Sequence, residues 1–241
     1  MIVHKQGKLT IVWGDKANCM EKDHWQGALP VEVVNKEPFV SFAQQADFLT
    51  LLSASQVHGT QIIRVESNDH LLNEPWFARE ADGLITSIAS IGLMVRTADC
   101  LPIVMYDAVK EVVAVVHAGW RGTVDQIVLK TLDIFKNDYG SSVSDLQVWF
   151  GPCARSCCYE VDQKFIDNLS SVPLYNAVVK RGKSWYFDIP GYNAALLKKE
   201  GVSAAQLYYE YNQCTLCNDK YCSYRRELAT ERRNITVVSL K

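Results

Sequence analysis

The chain has 241 residues, 48% of them hydrophobic and 22% charged, with a formal net charge of -2. That balance belongs to a globular protein with room for one large α/β unit, and it excludes coiled-coil, collagen-like and largely disordered classes. No basic excess marks a nucleic-acid footprint, MIVHKQGKLTIVWGD lacks the pattern of a secretory leader, and no apolar run approaches the ~18 residues of a membrane span, so a cytoplasmic protein without membrane or nucleic-acid partners is expected.

In chain order, LTIVWG (9–14) reads as a strand and EKDHWQGALP (21–30) as a polar loop. Residues 36–52 carry no decisive period, helix being the nearer fit, and QIIRVES (61–67) is a short strand. GLIT, GLMVRTA, LPIVMYD and EVVAVVH follow between residues 82 and 117, nearly continuous in apolar residues. Such runs suit a sheet covered on both faces. Thr123 is the expected N-cap of a helix that carries Val124, Ile127, Val128, Leu132 and Phe135 at helical spacing and closes at Gly140. DLQVWFGP (145–152), WYFDIP (185–190) and ITVVSL (235–240) return to strand. Pro190 opens a last helix, GYNAALLKKEG, stopped by Gly201. YYEYN (208–212) reads as strand and core rather than a stacking platform. No repeat, linker or boundary divides the chain, and one mixed α/β domain over 1–241 is the simplest organisation.

Two chemically active residues share the central hairpin. With Asp107 and Lys110 flanking a two-residue turn, Cys100 falls directly opposite His117, both side chains on one face and about 4.5–5.5 Å apart at Cβ. Ala108-Val109 lacks the glycine or asparagine that such turns prefer. His58, in SQVHGT, sits before a glycine at a loop edge and is the third candidate. Two imidazoles and a thiolate give zinc three protein ligands with a fourth position open, as in catalytic sites. A cysteine nucleophile with a histidine base needs the same pair, and each residue alone is equally at home in a core. Asp99 is expected to point away from Cys100, because neighbours on a strand face opposite sides.

HAGWRGT (117–123) joins strand to helix. Its glycines, a helix N-terminus and Arg121 suit an anion, and suit an ordinary tight turn equally. Of eight cysteines, Cys214 and Cys217 form a C-x2-C pair. With Cys222 and one of Cys153, Cys157 or Cys158 they would complete a structural zinc tetrad, although the spacing alone lacks a full set. Arg225 and Arg226, in SYRR, face either a pocket or solvent.

QVHGT, ADGLIT, TADCLPI, HAGWRGT, GPCARSCCYEV and SYRR stand in the order and at the spacing of one family. Over residues 50–240 the chain resembles the laccase-domain family, also called multicopper polyphenol oxidase and described as purine nucleoside phosphorylases. The resemblance implies an α-β-β-α sandwich, likened to cytotoxic-necrotising-factor-like cysteine hydrolases. It implies a metal, zinc or copper, on His58, Cys100 and His117 as catalytic residues, with Gln56 and Arg121 contacting substrate or phosphate. The implied reaction is phosphorolysis of adenosine, inosine, guanosine or methylthioadenosine, with adenosine deamination also attributed to the family. The alternatives are a copper-dependent phenol oxidase, which five histidines without an HxH pair are too few to build, a cysteine hydrolase, and a non-catalytic nucleotide-binding protein. The sequence departs from the family pattern within residues 1–50, where IVWGDKANCMEKDHWQGALP (11–30) replaces a GG-x-S and SLN-like stretch, and at TERR (230–233), which replaces a Gly-Arg.

Overall fold

Strands that are apolar on both faces need cover on both sides, and two sheets of this chain cover each other. The computed structural model describes residues 1–21, 37–66, 78–169 and 176–241. One sheet has five strands in the order β1 (Ile2–Gln6), β2 (Leu9–Trp13), β14 (Asn234–Leu240), β6 (Ile91–Thr97) and β3 (Thr50–Leu52). The other has six, in the order β13 (Leu207–Tyr208), β9 (Leu146–Phe150), β7 (Leu101–Asp107), β8 (Val112–Ala118), β5 (Gly83–Thr86) and β4 (Ile62–Val65). A small third sheet joins β10 (Glu160–Val161), β12 (Ser184–Phe187) and β11 (Val178–Arg181).

The period of two along each strand sorts side chains into layers. Leu9, Ile11 and Trp13 of β2 and Leu93 and Val95 of β6 meet Val104, Tyr106, Val113, Val115 and Trp149 of the six-stranded sheet in a core between the sheets. The alternate residues Val12, Met94 and Val237 face Phe39, Phe42 and Ala46 of helix α1 (Phe39–Ala46). On the far side, Ile103, Met105, Ala114 and Val116 pack against Ile127, Val128, Leu132 and Phe135 of one helix and Leu196 and Leu197 of another. The layers run helix, sheet, sheet, helix, the sandwich that the family resemblance implied.

Several elements differ from the sequence reading. The helix after β8 is broken: α2 (Trp120–Val124) is short, Gln126 turns left-handed at φ 63, and α3 runs Ile127–Asp138. Thr123 is therefore inside α2, buried, and accepts a hydrogen bond from Asn193 Nδ2 at 3.0 Å instead of capping α3. Gly140 does close α3, at φ 66. Residues 36–52 divide into α1 and β3. The last long helix, α4, spans Ile189–Lys199 with Pro190 in its first turn. β1, a polar-faced edge strand, and β10 and β11 of the third sheet carry too little periodicity to be read, whereas WYFDIP does hold a strand, β12, before the helix begins at Ile189. The polar loop at 21–30, apart from Glu21, and Ser67 of QIIRVES lie outside the described residues, as do His24 and His70.

The central hairpin has a four-residue loop, not two. Asp107 pairs with Val112 and Pro102 with His117. The Asp107 carboxylate accepts from the amides of Val109 at 2.8 Å and Lys110 at 2.9 Å, and Glu111 takes φ 54. An aspartate folding its own turn makes the glycine or asparagine of a two-residue turn unnecessary. Cys100 thus lies two positions beyond the partner of His117 rather than opposite it. A shift of two keeps a side chain on the same face, where a shift of one would reverse it.

Candidate metal centre and its cavity

His117 and Cys100 stand on the face of the six-stranded sheet that meets the other sheet, at the end of β8 and just before β7. Leu84, Val104, Val113, Val115 and Trp149 fill that face further in. His58 reaches the same point from the loop between β3 and β4. One ligand atom from each of His58, Cys100 and His117 lies within 4.8 Å of the others. The two imidazole rings meet edge to face at 4.9 Å. His117 is buried, Cys100 half-buried and His58 exposed, so the trio opens to one side.

Asp82, just before β5, organises the group and is fully buried. Its carboxylate accepts from Gly59 N at 2.6 Å, His58 N at 3.0 Å and Val57 N at 3.3 Å, which holds His58 in a left-handed turn at φ 61. It also lies 2.8 Å from His117 Nδ1. A carboxylate on one ring nitrogen fixes the tautomer and leaves the other nitrogen to a metal. ADGLIT contains this residue, but a single aspartate before an apolar strand carries no local sign of such a role. Burial works against its ionisation, yet the His117 bond and charge and the two amides outweigh it and hold the carboxyl below its ordinary range.

The same electrostatics act on the candidate ligands. Burial opposes a Cys100 thiolate, but the charges and hydrogen bonds of His117 and His58 outweigh it and bring the thiol down to about 6. Burial opposes an imidazolium at His117, but the Cys100 thiolate and Asp82 outweigh it and raise the ring to about 9. A preformed thiolate with two imidazoles is a soft, nitrogen–sulfur donor set of the kind zinc and copper take.

The glycines of HAGWRGT serve close packing. A Cβ on residue 119 would stand 2.9 Å from His58 Cδ2 and 3.2 Å from Cys100 Sγ. One on residue 122 would stand 2.7 Å from the Gly59 carbonyl oxygen. Arg121 is exposed, with its guanidinium 4.8 Å over the Trp120 ring, and is not among the residues around the main cavity.

That cavity, about 920 Å³, opens over the three candidate ligands. Arg96, Arg225 and Arg233 line it together with Tyr159 and Tyr224. Gln56 is there too, but its amide is spent on the backbone of Arg96, donating to the carbonyl at 2.8 Å and accepting from the N–H at 2.9 Å. Asp99 departs from the sequence reading. It sits at φ 84, outside any strand, and faces the cavity beside Cys100. It accepts from Thr215 Oγ1 at 2.6 Å and from Arg225 N at 2.8 Å. Of the SYRR pair, Arg225 stacks on Tyr159 at 4.7 Å within the cavity. Arg226 instead donates to the carbonyl groups of Thr215, Asn218 and Tyr221 and shapes a loop.

Residues 31–241 match the family described as multi-copper polyphenol oxidoreductase laccase. The chain is 39% identical over 175 residues to a protein of Borreliella burgdorferi named purine nucleoside phosphorylase, covering 71% of this chain and 72% of that one. It is 31% identical over 191 residues to adenosine deaminase RL5 of an unknown prokaryotic organism, covering 75% of this chain and 71% of that one. The crystal structure of Bacillus licheniformis hypothetical protein YfiH superposes with a TM-score of 0.79 at 26% identity, over 97% of this chain and 93% of that one.

Proposed function

The chain belongs to the multi-copper polyphenol oxidoreductase laccase family, and from that premise we propose that it is a zinc-dependent enzyme of purine nucleosides, acting by phosphorolysis. The observation that carries the reading is the convergence of His58, Cys100 and His117 beneath a cavity walled by three arginines. The donor set fits zinc: three ligand atoms, one of them a thiol already inclined to ionise, on a face left open to the cavity. Zinc held there would supply Lewis acidity toward a polar atom of the substrate.

The rest falls to the chain itself. Asp82 holds the His117 Nδ1 proton, so the Nε2 lone pair stays directed at the ligand cluster. Arg96, Arg225 and Arg233 form a cationic wall suited to phosphate. In this reading they, rather than Arg121, take the anion, and Gln56 positions the Arg96 backbone beside it. Tyr224, half-exposed in the cavity, offers an aromatic face to a purine ring. A volume of about 920 Å³ admits a nucleoside and phosphate together. Met20, Glu231 and Arg233, from the two stretches that depart from the family pattern, also border it and would set base or ribose preference.

Among the described residues no second cluster contains histidine, so they offer no imidazoles for further copper ions of a laccase centre. The relative named adenosine deaminase supports a second reading, deamination at the same site. Product analysis with adenosine separates the two. Adenine formed only with phosphate supports phosphorolysis, inosine without phosphate supports deamination, and neither product from metal-loaded protein defeats both.

A further inference from the structure

Four cysteines outside that centre also converge. Cys157 and Cys158 lie in the loop after β9, Cys214 and Cys217 in the loop after β13, and their sulfurs all fall within 4.8 Å of one another. Cys157 Sγ is 3.5 Å from Cys217 Sγ, and all eight cysteines are free thiols. Four thiolates at bonds of about 2.3 Å from one zinc ion would stand roughly 3.8 Å apart. The cluster is thus close to the size of a closed tetrahedral site. We infer that Cys157, Cys158, Cys214 and Cys217 hold a structural zinc ion, separate from the centre at His58, Cys100 and His117 and independent of the activity proposed for it.

The backbone prepares this site. Asn218 N donates to the Cys214 carbonyl at 3.0 Å, closing the C-x2-C turn. The amides of Arg155 and Cys217 hydrogen-bond the Cys214 sulfur. Cys153 N donates to Gln213 O at 3.0 Å and Thr215 N to Cys153 O at 2.9 Å, so the two loops are already laced together. Cys222, which the sequence pairs with the C-x2-C motif, is not in the group; it hydrogen-bonds with Cys19 instead.

Sulfur-only donors in a tetrahedron select zinc or iron over hard cations, and a closed set with no open position is the structural zinc pattern. A zinc tetrathiolate carries two negative charges. Arg226 caps the carbonyl groups of the C-x2-C loop, Arg181 donates to Cys157 O at 3.3 Å and Arg155 holds Asn212 O at 3.1 Å, so three cations flank it. Binding releases the remaining thiol protons to solvent and changes no oxidation state.

The consequence reaches the cavity. Ala154 N donates to Asp99 O at 2.8 Å, and Thr215 Oγ1 to the Asp99 carboxylate. Tyr159 follows Cys158 directly. The ion would fasten the two loops that carry these groups.

The test is zinc content of the full chain with a spectroscopic check. Wild-type protein should hold two zinc ions per chain. A Cys157→Ser/Cys217→Ser variant should hold one and unfold at a lower temperature, and His117→Ala should also hold one. Should the double variant fail to fold, wild-type protein exchanged with cadmium-113 gives the answer. It should show two resonances, one strongly deshielded as four sulfurs require. A double variant that keeps both zinc ions, a wild type with a single ion that His117→Ala removes, iron in place of zinc, a lone cadmium resonance, or disulfides among the four cysteines would each overturn the assignment.

Discussion

Replacing Asp82 by asparagine keeps its shape but removes its charge and turns one of its two acceptor oxygens into a donor, so the side chain can no longer serve both His117 and the three amides. Losing such a partner behind a metal ligand weakens binding by about 10–100-fold. Competition with a calibrated chelator should show that loss for Asp82→Asn, with the fold intact by circular dichroism; unchanged affinity would remove Asp82 from the account. The Cys100 thiol, brought down to about 6, is mostly thiolate at neutral pH in metal-free protein. Its alkylation should rise through about pH 6 and level off above, and zinc should protect it, both readable by mass spectrometry of the peptide. An ordinary thiol would instead rise near pH 8.5. The convergence of His58, Cys100 and His117 was legible in the sequence because their residue types are chemically distinctive and their motifs are specific. Asp82 and Asp99 were not, since the value of an aspartate here depends on which amides and rings the fold brings to it.

The central hairpin shows how an element can be read wrongly in register and correctly in face. The turn is built by the Asp107 side chain, and the slip it produces is even, so Cys100 stays on the His117 side. Strands with long apolar runs were legible, as was β12 in WYFDIP, while β1, β10, β11 and the break at Gln126 were not, because tertiary contacts rather than local periodicity specify them. The strand-to-helix turn after β8 is governed by contact with the candidate ligands His58 and Cys100. Gly119→Ala should push its Cβ into His58 and Cys100. Loss of metal affinity with little change in overall helix and strand content is expected from a metal titration beside circular dichroism. An alanine variant with wild-type affinity would show that the close approach has no bearing on the site.

Across the whole molecule, the core lies between the sheets and the candidate metal centre at the end where the sheets part. Trp149 is fully buried in that core and stacks on Tyr208 at 4.9 Å. Trp149→Ala should cost about 3–5 kcal/mol in urea unfolding, and a cost near zero would mean the sheets do not depend on this packing. Among the described residues, no helix is long and apolar enough to cross a membrane. The layered sandwich and its family were legible from motif order, and GPCARSCCYEV and SYRR marked the loops over the cavity, but which of their side chains turn into it, Tyr159, Tyr224 and Arg225, follows only from the fold. The most direct measurement is nucleoside turnover during zinc titration of metal-free protein, run beside a His58→Ala/His117→Ala variant. Activity should rise in proportion to zinc bound at the His58, Cys100 and His117 site and stay absent in the variant at any zinc concentration. Full turnover by the metal-free protein, or by the variant, would contradict the account.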